Sequence, residues 1–320
     1  MTGFFAYILF QTNFALVFKL ITGELRKISF IIFFNLLFAI NSFSQNTLRE
    51  KEMELKISGD SILRGSSDSV RQLSSLAFHA NFEELLNNPE SFKYAFDSLK
   101  NVSVLSPGDK TIRIYTWCVP AVSKDQYNYF GFVQLYDKKL NKINLFALRD
   151  TMLPTEEAEK KSLNADSWFG SLYYKIIEGK FKGDKIYTLL GWRGNNRLTT
   201  IKVIDILIIN KGRPKFGAPL FKTEKGFKHR IIFEYTSQAV MSLRYNERKK
   251  MIVFDHLSPV NPGLKGRYES YGPDMSYDAY KFKGGKWAYL KNIEAENTRE
   301  YDVKSQNSDV KHKEFYTPPK

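Results

Sequence analysis

The chain has 320 residues, with 48 Lys and Arg against 34 Asp and Glu, a formal charge of +14 and a single cysteine. One cysteine excludes a disulfide scaffold, a cysteine-built zinc site and a CxxC redox pair. A hydrophobic content of 43% with 15% aromatics excludes a wholly disordered chain.

From the N-terminus, residues 1–44 hold eleven of the 48 aromatics. The first apolar run, Phe4–Leu20, is broken by Gln11, Thr12 and Asn13. It reads either as a marginal membrane helix or as upstream sequence over residues 1–24, with the true start at Leu25. The second run, Ile28–Ile40, follows Arg26-Lys27 and precedes Asn41-Ser42-Phe43-Ser44. That is the layout of a secretory signal over residues 25–44, with cleavage expected between Ser44 and Gln45. The run's thirteen residues rise only ~20 Å as a helix, short of a ~30 Å hydrocarbon core. The expectation is therefore export to the periplasm or cell exterior of a Gram-negative cell. Membrane contact is expected only through an uncleaved N-terminus, which would leave an anchored protein with an exported β domain. The mature chain keeps 45 basic and 33 acidic residues, +12. Cys118 is then alone in an oxidising compartment, and its alternation with Ile112 and Ile114 assigns it to packing.

Residues 45–66 are polar and read as an exposed lead-in to a single β-rich domain over residues 67–293. Val70, Leu73, Ala77 and Ala80 repeat at three and four residues, widened by Leu76 and Leu85, which predicts a helix from Asp68 to Asn87 with that stripe inward. Ser67 or Asp68 can cap it. A short turn over Phe92–Leu99 places Phe92, Phe96 and Leu99 on one side. After Ser106-Pro107-Gly108-Asp109 the period changes to two. Strands are predicted at Thr111–Val119, Tyr129–Tyr136, Lys142–Leu148, Trp168–Glu178, Lys185–Trp192, Thr199–Ile209, Lys228–Thr236, Val240–Tyr245, Lys250–Leu257, Tyr277–Lys283 and Lys286–Ile293. Pro154–Asp166 reads as a surface helix or loop, and residues 294–320 as a disordered tail. The fold class expected is mainly β with a short N-terminal helical segment (α+β). Its strands form an antiparallel meander, arranged as a propeller-like array, a large twisted sheet or a sandwich. The second strands Ile201–Leu207 and Met251–Leu257 match each other at an offset of 50 residues.

Several segments together resemble an uncharacterised family of exported Bacteroidota proteins: Phe92–Leu99, Arg113–Trp117 (RIYTW), Tyr129–Gln134, Tyr187–Asn195 (YTLLGWRGN), Lys202–Leu207 (KVIDIL), Arg230–Tyr235, Ile252–Pro259 (IVFDHLSP) and Tyr271–Ala279 (YGPDMSYDA). The resemblance spans most of residues 58–293 and implies export and one β-rich domain. It implies no activity and lends no catalytic residue. In the family's pattern the turn reads GWDGN, and Arg193 here replaces the carboxylate that a metal at that turn would use.

No HExxH, GxSxG, SxxK or complete P-loop is present, and no cofactor or metal is expected. The basic clusters Lys211–Lys215 and Arg248–Lys250 fall at predicted turns and suit solubilising charge or an anionic envelope component. Nucleic-acid binding has no motif behind it. Trp192-Arg193-Gly194-Asn195-Asn196 offers an aromatic face with guanidinium and carboxamide groups at a hairpin tip, which suits a sugar ring. The plainer account is a turn whose tryptophan packs back on the sheet. Asp255, Tyr271 and Tyr277 complete the binding candidates. A competing hydrolase would use His256 as general base with Asp274 or Asp278. Asp255, its chain neighbour, points to the opposite face and cannot orient the ring. A separation above ~8 Å between His256 and those carboxylates would make cooperation untenable. The leading expectation is an exported envelope-associated module that binds a glycan or an anionic envelope component rather than catalyses.

Overall fold

The computed structural model describes residues 47–224 and 226–294. The signal, its Ser44–Gln45 cleavage site, the upstream run, His312 and the tail beyond Glu294 lie outside the described residues. The chain divides into two compact units, Met1–Lys51 and Glu52–Lys320. In the first, residues 47–51 are described and are helical.

The second unit opens on helix α1, residues 52–64, which corrects the exposed lead-in. Leu55 and Ile62 are buried. So is Glu52, whose carboxylate accepts from the Tyr94 hydroxyl (2.7 Å) and the Ser98 N–H (2.7 Å). The buried seam runs through Glu52, Leu55, Gly59 and Ile62. A glutamate and a glycine within it erase the hydrophobic period that would announce a packed helix.

Helix α2, Asp68–Leu86, starts where expected, with the Ser67 side chain accepting from the Val70 N–H. Asp68 instead ties the helix to the sheet, accepting from the Val122 and Ser123 N–H groups and the Ser123 hydroxyl. The predicted inward stripe is on the wrong face. Leu73 is 68% exposed, and Val70 and Leu76 are exposed too. The face turned inward carries Ser75, Phe78, Phe82, Leu85 and Leu86. Aromatic packing decides the orientation: Phe78 and Phe82 meet Trp117, Tyr115, Phe132 and Phe96 in edge-on contacts. Phe92, Phe96 and Leu99 are buried as expected.

Three sheets follow. The first is an antiparallel meander in chain order: β1 (Ser103–Leu105), β2 (Ile112–Ala121), β3 (Gln126–Asp137) and β4 (Lys142–Arg149). The second contains β5 (Leu163–Asn164), β6 (Leu172–Phe181), β7 (Asp184–Gly194), β8 (Thr199–Asn210) and β9 (Arg213–Phe216) in the order β5-β9-β8-β7-β6, with β12 (Ile231–Thr236) also paired to β8. The third contains β10 (Phe221–Thr223), β11 (Gly226–Lys228), β13 (Leu243–Asn246), β14 (Met251–Pro259), β15 (Tyr271–Lys283) and β16 (Lys286–Leu290) in the order β11-β10-β16-β15-β14-β13. The β10–β16 pair is parallel and the other ladders are antiparallel. The protein is thus β-rich α+β with a helical N-terminal part, built from three sheets rather than one.

The second sheet is the middle layer. One core cluster joins it to the first sheet through Ile114, Val133, Leu148, Tyr173, Leu189 and Val203. Another joins it to the third through Leu190, Ile204, Ile206, Ile252, Phe254 and Trp287. Strands β7 and β8 are therefore buried on both faces, and their sequences run almost continuously apolar. One edge of β8 is shared: Thr199–Ile204 pairs β12 and Leu207–Asn210 pairs β9. The predicted strand Lys228–Thr236 breaks at His229-Arg230 because Arg230 turns inward to Asp205. Residues 154–166 are only partly surface. After the short helix α3 (Thr155–Ala158), Glu159 is buried and accepts from Lys228 Nζ (2.5 Å) and the Ile232 N–H (3.1 Å).

Burial pushes the Cys118 thiol up to about 12. A rise of about three units from the ordinary value leaves roughly a thousandfold less thiolate. An aromatic disulfide reagent at neutral pH is expected to label the native protein about that much more slowly than the urea-unfolded chain. Equal rates would contradict the packing role. No described helix is long and apolar enough to cross a membrane.

Candidate functional sites

Two places gather the residues singled out by sequence. The first lies at the end of β7. The β7 segment Arg193-Gly194 and the following Asn195 line a pocket of about 270 Å³ together with Gln126, Tyr127, Thr155 and Phe169, among others. Arg193 is buried, and its Nη1 donates to Asp150 Oδ2 (2.8 Å) and to the Gly170 carbonyl (2.6 Å). Its guanidinium lies over the rings of Tyr129 (4.7 Å) and Phe169 (5.0 Å). Among the described residues its hydrogen bonds run through Nη1, which leaves Nε and Nη2 as donors. Asp150 is held in turn by the N–H groups of Gly170 (3.1 Å) and Met152 (3.2 Å). Gly170 has no room for a side chain: a Cβ there would stand 2.6 Å from the Asp150 carboxyl carbon. At Gly194 a Cβ would meet the Tyr127 ring at 2.5 Å, so glycine is what lets that ring approach the pocket wall.

The other members of the motif do structural work. Trp192 packs edge-on against Tyr127 at 5.7 Å and belongs to the core between the first two sheets. Asn195 lines the pocket, but its Nδ2 is committed to Thr199 Oγ1 (2.8 Å) and Glu234 Oε1 (3.0 Å). Its Oδ1 is the group left to face a ligand. Asn196 closes the turn, its Oδ1 accepting from the Leu198 and Thr199 N–H groups. Of the four, Arg193 and Asn195 are placed in the pocket wall, whereas Trp192 packs in the core and Asn196 closes the turn. Gln126, Tyr127, Asp150 and Phe169 were missed. A strand expected to begin at Tyr129 leaves Gln126 and Tyr127 in a loop, whereas β3 starts at Gln126.

The second place is a bulge between β14 and β15. Asp255 pairs with Tyr277 and Leu257 with Pro273, so His256 alone faces the three residues Asp274-Met275-Ser276. Bulges of this kind re-aim side chains. Met275 carries the strain, with φ +72°, and is 94% exposed. Residues 271–276, expected as a loop, are part of a thirteen-residue strand.

His256 Nδ1 is 2.6 Å from Asp278 Oδ2. Asp278 is buried and also accepts from the Tyr289 hydroxyl (2.5 Å) and the Asn292 N–H (3.0 Å). The Nδ1–Asp278 contact orients the ring and turns Nε2 toward Asp274. His256 Nε2 is 4.0 Å from Asp274 Oδ2. Asp274 accepts from the Ser276 hydroxyl (2.7 Å) and N–H (3.0 Å). Those bonds, led by the hydroxyl, hold its carboxyl below the usual range. The three residues of the competing reading therefore converge well inside ~8 Å, the limit for cooperation.

Asp255, Tyr271 and Tyr277 do not join them. Asp255 Oδ2 accepts from the Ser242 N–H at 2.8 Å. The Tyr271 hydroxyl accepts from the Gly266 N–H (3.0 Å), closing the β14–β15 connection on itself. Tyr277 packs against Met251, Val253 and Ala279. Their assignment as binding residues is corrected to local structure. His79 packs at a tilt against Phe132 at 4.7 Å, and burial holds its imidazole below the ordinary value. Among the described residues, no group of three or more His, Cys, Asp or Glu side chains is placed to hold a metal ion.

No family model matches the chain, and no curated protein and no solved structure matches it either.

Proposed function

We propose that the protein is an exported, envelope-associated binding module of the resembled Bacteroidota type, and that it holds a small glycan unit in the pocket around Arg193 and Asn195. The observation that carries this reading is the lining of that pocket. A guanidinium with two uncommitted nitrogens, the carboxamides of Gln126 and Asn195 and the hydroxyls of Tyr127 and Thr155 stand beside the apolar surfaces of Phe169 and Leu153. Several polar groups converging on apolar walls is how a sugar's hydroxyls and its C–H face are both accommodated. The volume suits one sugar residue, so a polymer would be gripped at an end or a branch.

A glycan array on the mature chain, followed by calorimetry, tests this. Tyr127→Ala is expected to weaken binding about tenfold, the worth of one aromatic contact, and Gln126→Ala by less. Unchanged affinity in both variants would sink the pocket assignment.

The convergence at His256 favours a second reading, a hydrolase. Two acceptors 4.0 Å apart, His256 Nε2 and Asp274 Oδ2, can share one water at about 2.8 Å from each. Asp278 would position the imidazole as general base. Under this reading His256→Gln abolishes turnover while pocket binding persists.

A further inference from the structure

We propose a second ligand site, for the carboxylate groups of an acidic glycan, on the outer edge of the middle sheet where β9 pairs β5. A groove of about 300 Å³ is lined there by Ser162, Asn164, Ser167, Asn210, Arg213 and Lys215, with Leu163 and Pro214. The ladder explains why these side chains share a face. Along β9 burial alternates, Arg213 and Lys215 outward and Pro214 and Phe216 inward. Register sets Asn210 directly opposite Arg213 and Asn164 directly opposite Lys215. Each cation therefore stands beside a carboxamide, and two residues of strand separate the cations by about 6.6 Å. Ser167 is turned into the same place by its hydrogen bond to Asn164 Oδ1 (3.0 Å).

In the same sheet, Lys175 on β6 and Lys185 on β7 each meet a carboxylate. Among the described residues no ion pair is made by Arg213 or Lys215, and the turn before them adds Lys211. Asp166, the acid nearest in sequence to the β5 side, is exposed and does not line the groove. Two uncompensated cations on one face are an anion site in waiting.

The lining also selects the kind of anion. It contains no aromatic side chain, so bases have nothing to stack on, as single-stranded nucleic acid would require. Its apolar share is Leu163 and Pro214, with Leu163 buried, so no exposed hydrophobic surface would enter a lipid layer. Carboxamides and hydroxyls interleaved with cations match a chain that alternates carboxylates with sugar hydroxyls. This site is separate from the pocket around Arg193 and would add a charged subsite to a glycan-binding protein.

The test uses the mature chain and oligogalacturonate, with its methyl-esterified neutral form as control. The wild type is expected to bind the acidic oligomer and not the neutral one at this site, with affinity falling as salt rises. The double variant Arg213→Gln/Lys215→Gln is expected to lose more than about tenfold, the loss of two charge-assisted hydrogen bonds. Lys138→Gln/Lys139→Gln, the same charge change at the exposed β3–β4 turn, leaves the affinity unchanged. Circular dichroism and thermal melts confirm that the double variant folds. Failure of the Arg193 pocket would leave this result standing. Wild-type affinity in the Arg213/Lys215 variant, an equal loss in the Lys138/Lys139 control, or binding to phosphatidylglycerol vesicles in place of oligogalacturonate would overturn the proposal.

Discussion

Replacing Asp205 with alanine is expected to destabilise the protein by about 3–5 kcal/mol, read as a lower urea midpoint at an unchanged slope. Asp205 and Arg230 are both 0% exposed, in the middle layer where β8 is covered on both faces. Asp205 Oδ1 accepts from Arg230 Nε (3.2 Å) and the Ile206 N–H (2.8 Å). Oδ2 accepts from the Tyr173 hydroxyl (3.1 Å), which itself accepts from Trp168 Nε1 (2.9 Å). Arg230 Nη1 donates to the carbonyls of Ala158 and Lys161, binding the segment after α3 to the sheet. Burial raises the Asp205 carboxyl above its ordinary range, and Arg230 pulls it back only in part. The pair is thus expensive to desolvate and contributes little net stability while complete. Removing one member strands the other charge in a site without water. The double variant Asp205→Leu/Arg230→Met should therefore cost far less than Asp205→Ala. Equal losses would mean that the hydrogen bonds to Tyr173 and Ile206, rather than the charge pair, set the cost.

The second large effect is expected at Asp150. Asp150→Ala removes the carboxylate paired with Arg193 and should cost about 3 kcal/mol, because both side chains are almost fully buried. It also frees the N–H groups of Gly170 and Met152 and so loosens the segment that carries Phe169 into the pocket. Stability and ligand affinity should fall together in this variant. In Tyr127→Ala affinity should fall with little loss of stability. A ligand affinity unaltered by Asp150→Ala in folded protein would show that Arg193 need not be held still for binding.

The outer strands were readable because turn residues bracket them, as at β3–β4 around Asp137–Asn141 and β15–β16 around Gly284-Gly285. The helix capped by Ser67 was readable for the same kind of local reason. Which face of α2 turns inward was not. Leu73 and Leu76 are as hydrophobic as anything on the helix, and only the aromatic surface offered by Trp117, Tyr115 and Phe132 favours Phe78 and Phe82 instead. Helix α1 was hidden by a glutamate and a glycine in its own buried seam. Layering was half visible: the apolar runs Tyr187–Leu190 and Ile201–Ile209 belong to strands covered on both faces, a sign of a middle sheet. A lone aspartate inside such a run, as in KVIDIL, is itself a signal that a cation must be near, although its partner Arg230 lies in a segment that looked like an unbroken strand.

At the sites, convergence of His256 with Asp274 and Asp278 followed from residue types alone, but its cause, a three-against-one bulge, is a property of register that spacing does not announce. Arg193 was noticed for its charge at a turn. Its actual setting depends on Asp150 and Gly170, which reach it from β4's end and the start of β6 and carry no local mark. The same holds for Arg213 and Lys215, which looked like turn charge and stand on a strand whose alternation aligns them.

The most direct test of binding against catalysis is a titration of the isotopically labelled mature domain with glucose, galactose, mannose and N-acetylglucosamine, followed by amide chemical shifts. Binding at the Arg193 pocket predicts saturable shifts at Gln126, Tyr127, Thr155, Gly194 and Asn195 for at least one sugar, with the sugar recovered unchanged. Shifts confined to His256, Asp274 and Ser276, or none at the pocket for any of the four, would contradict it.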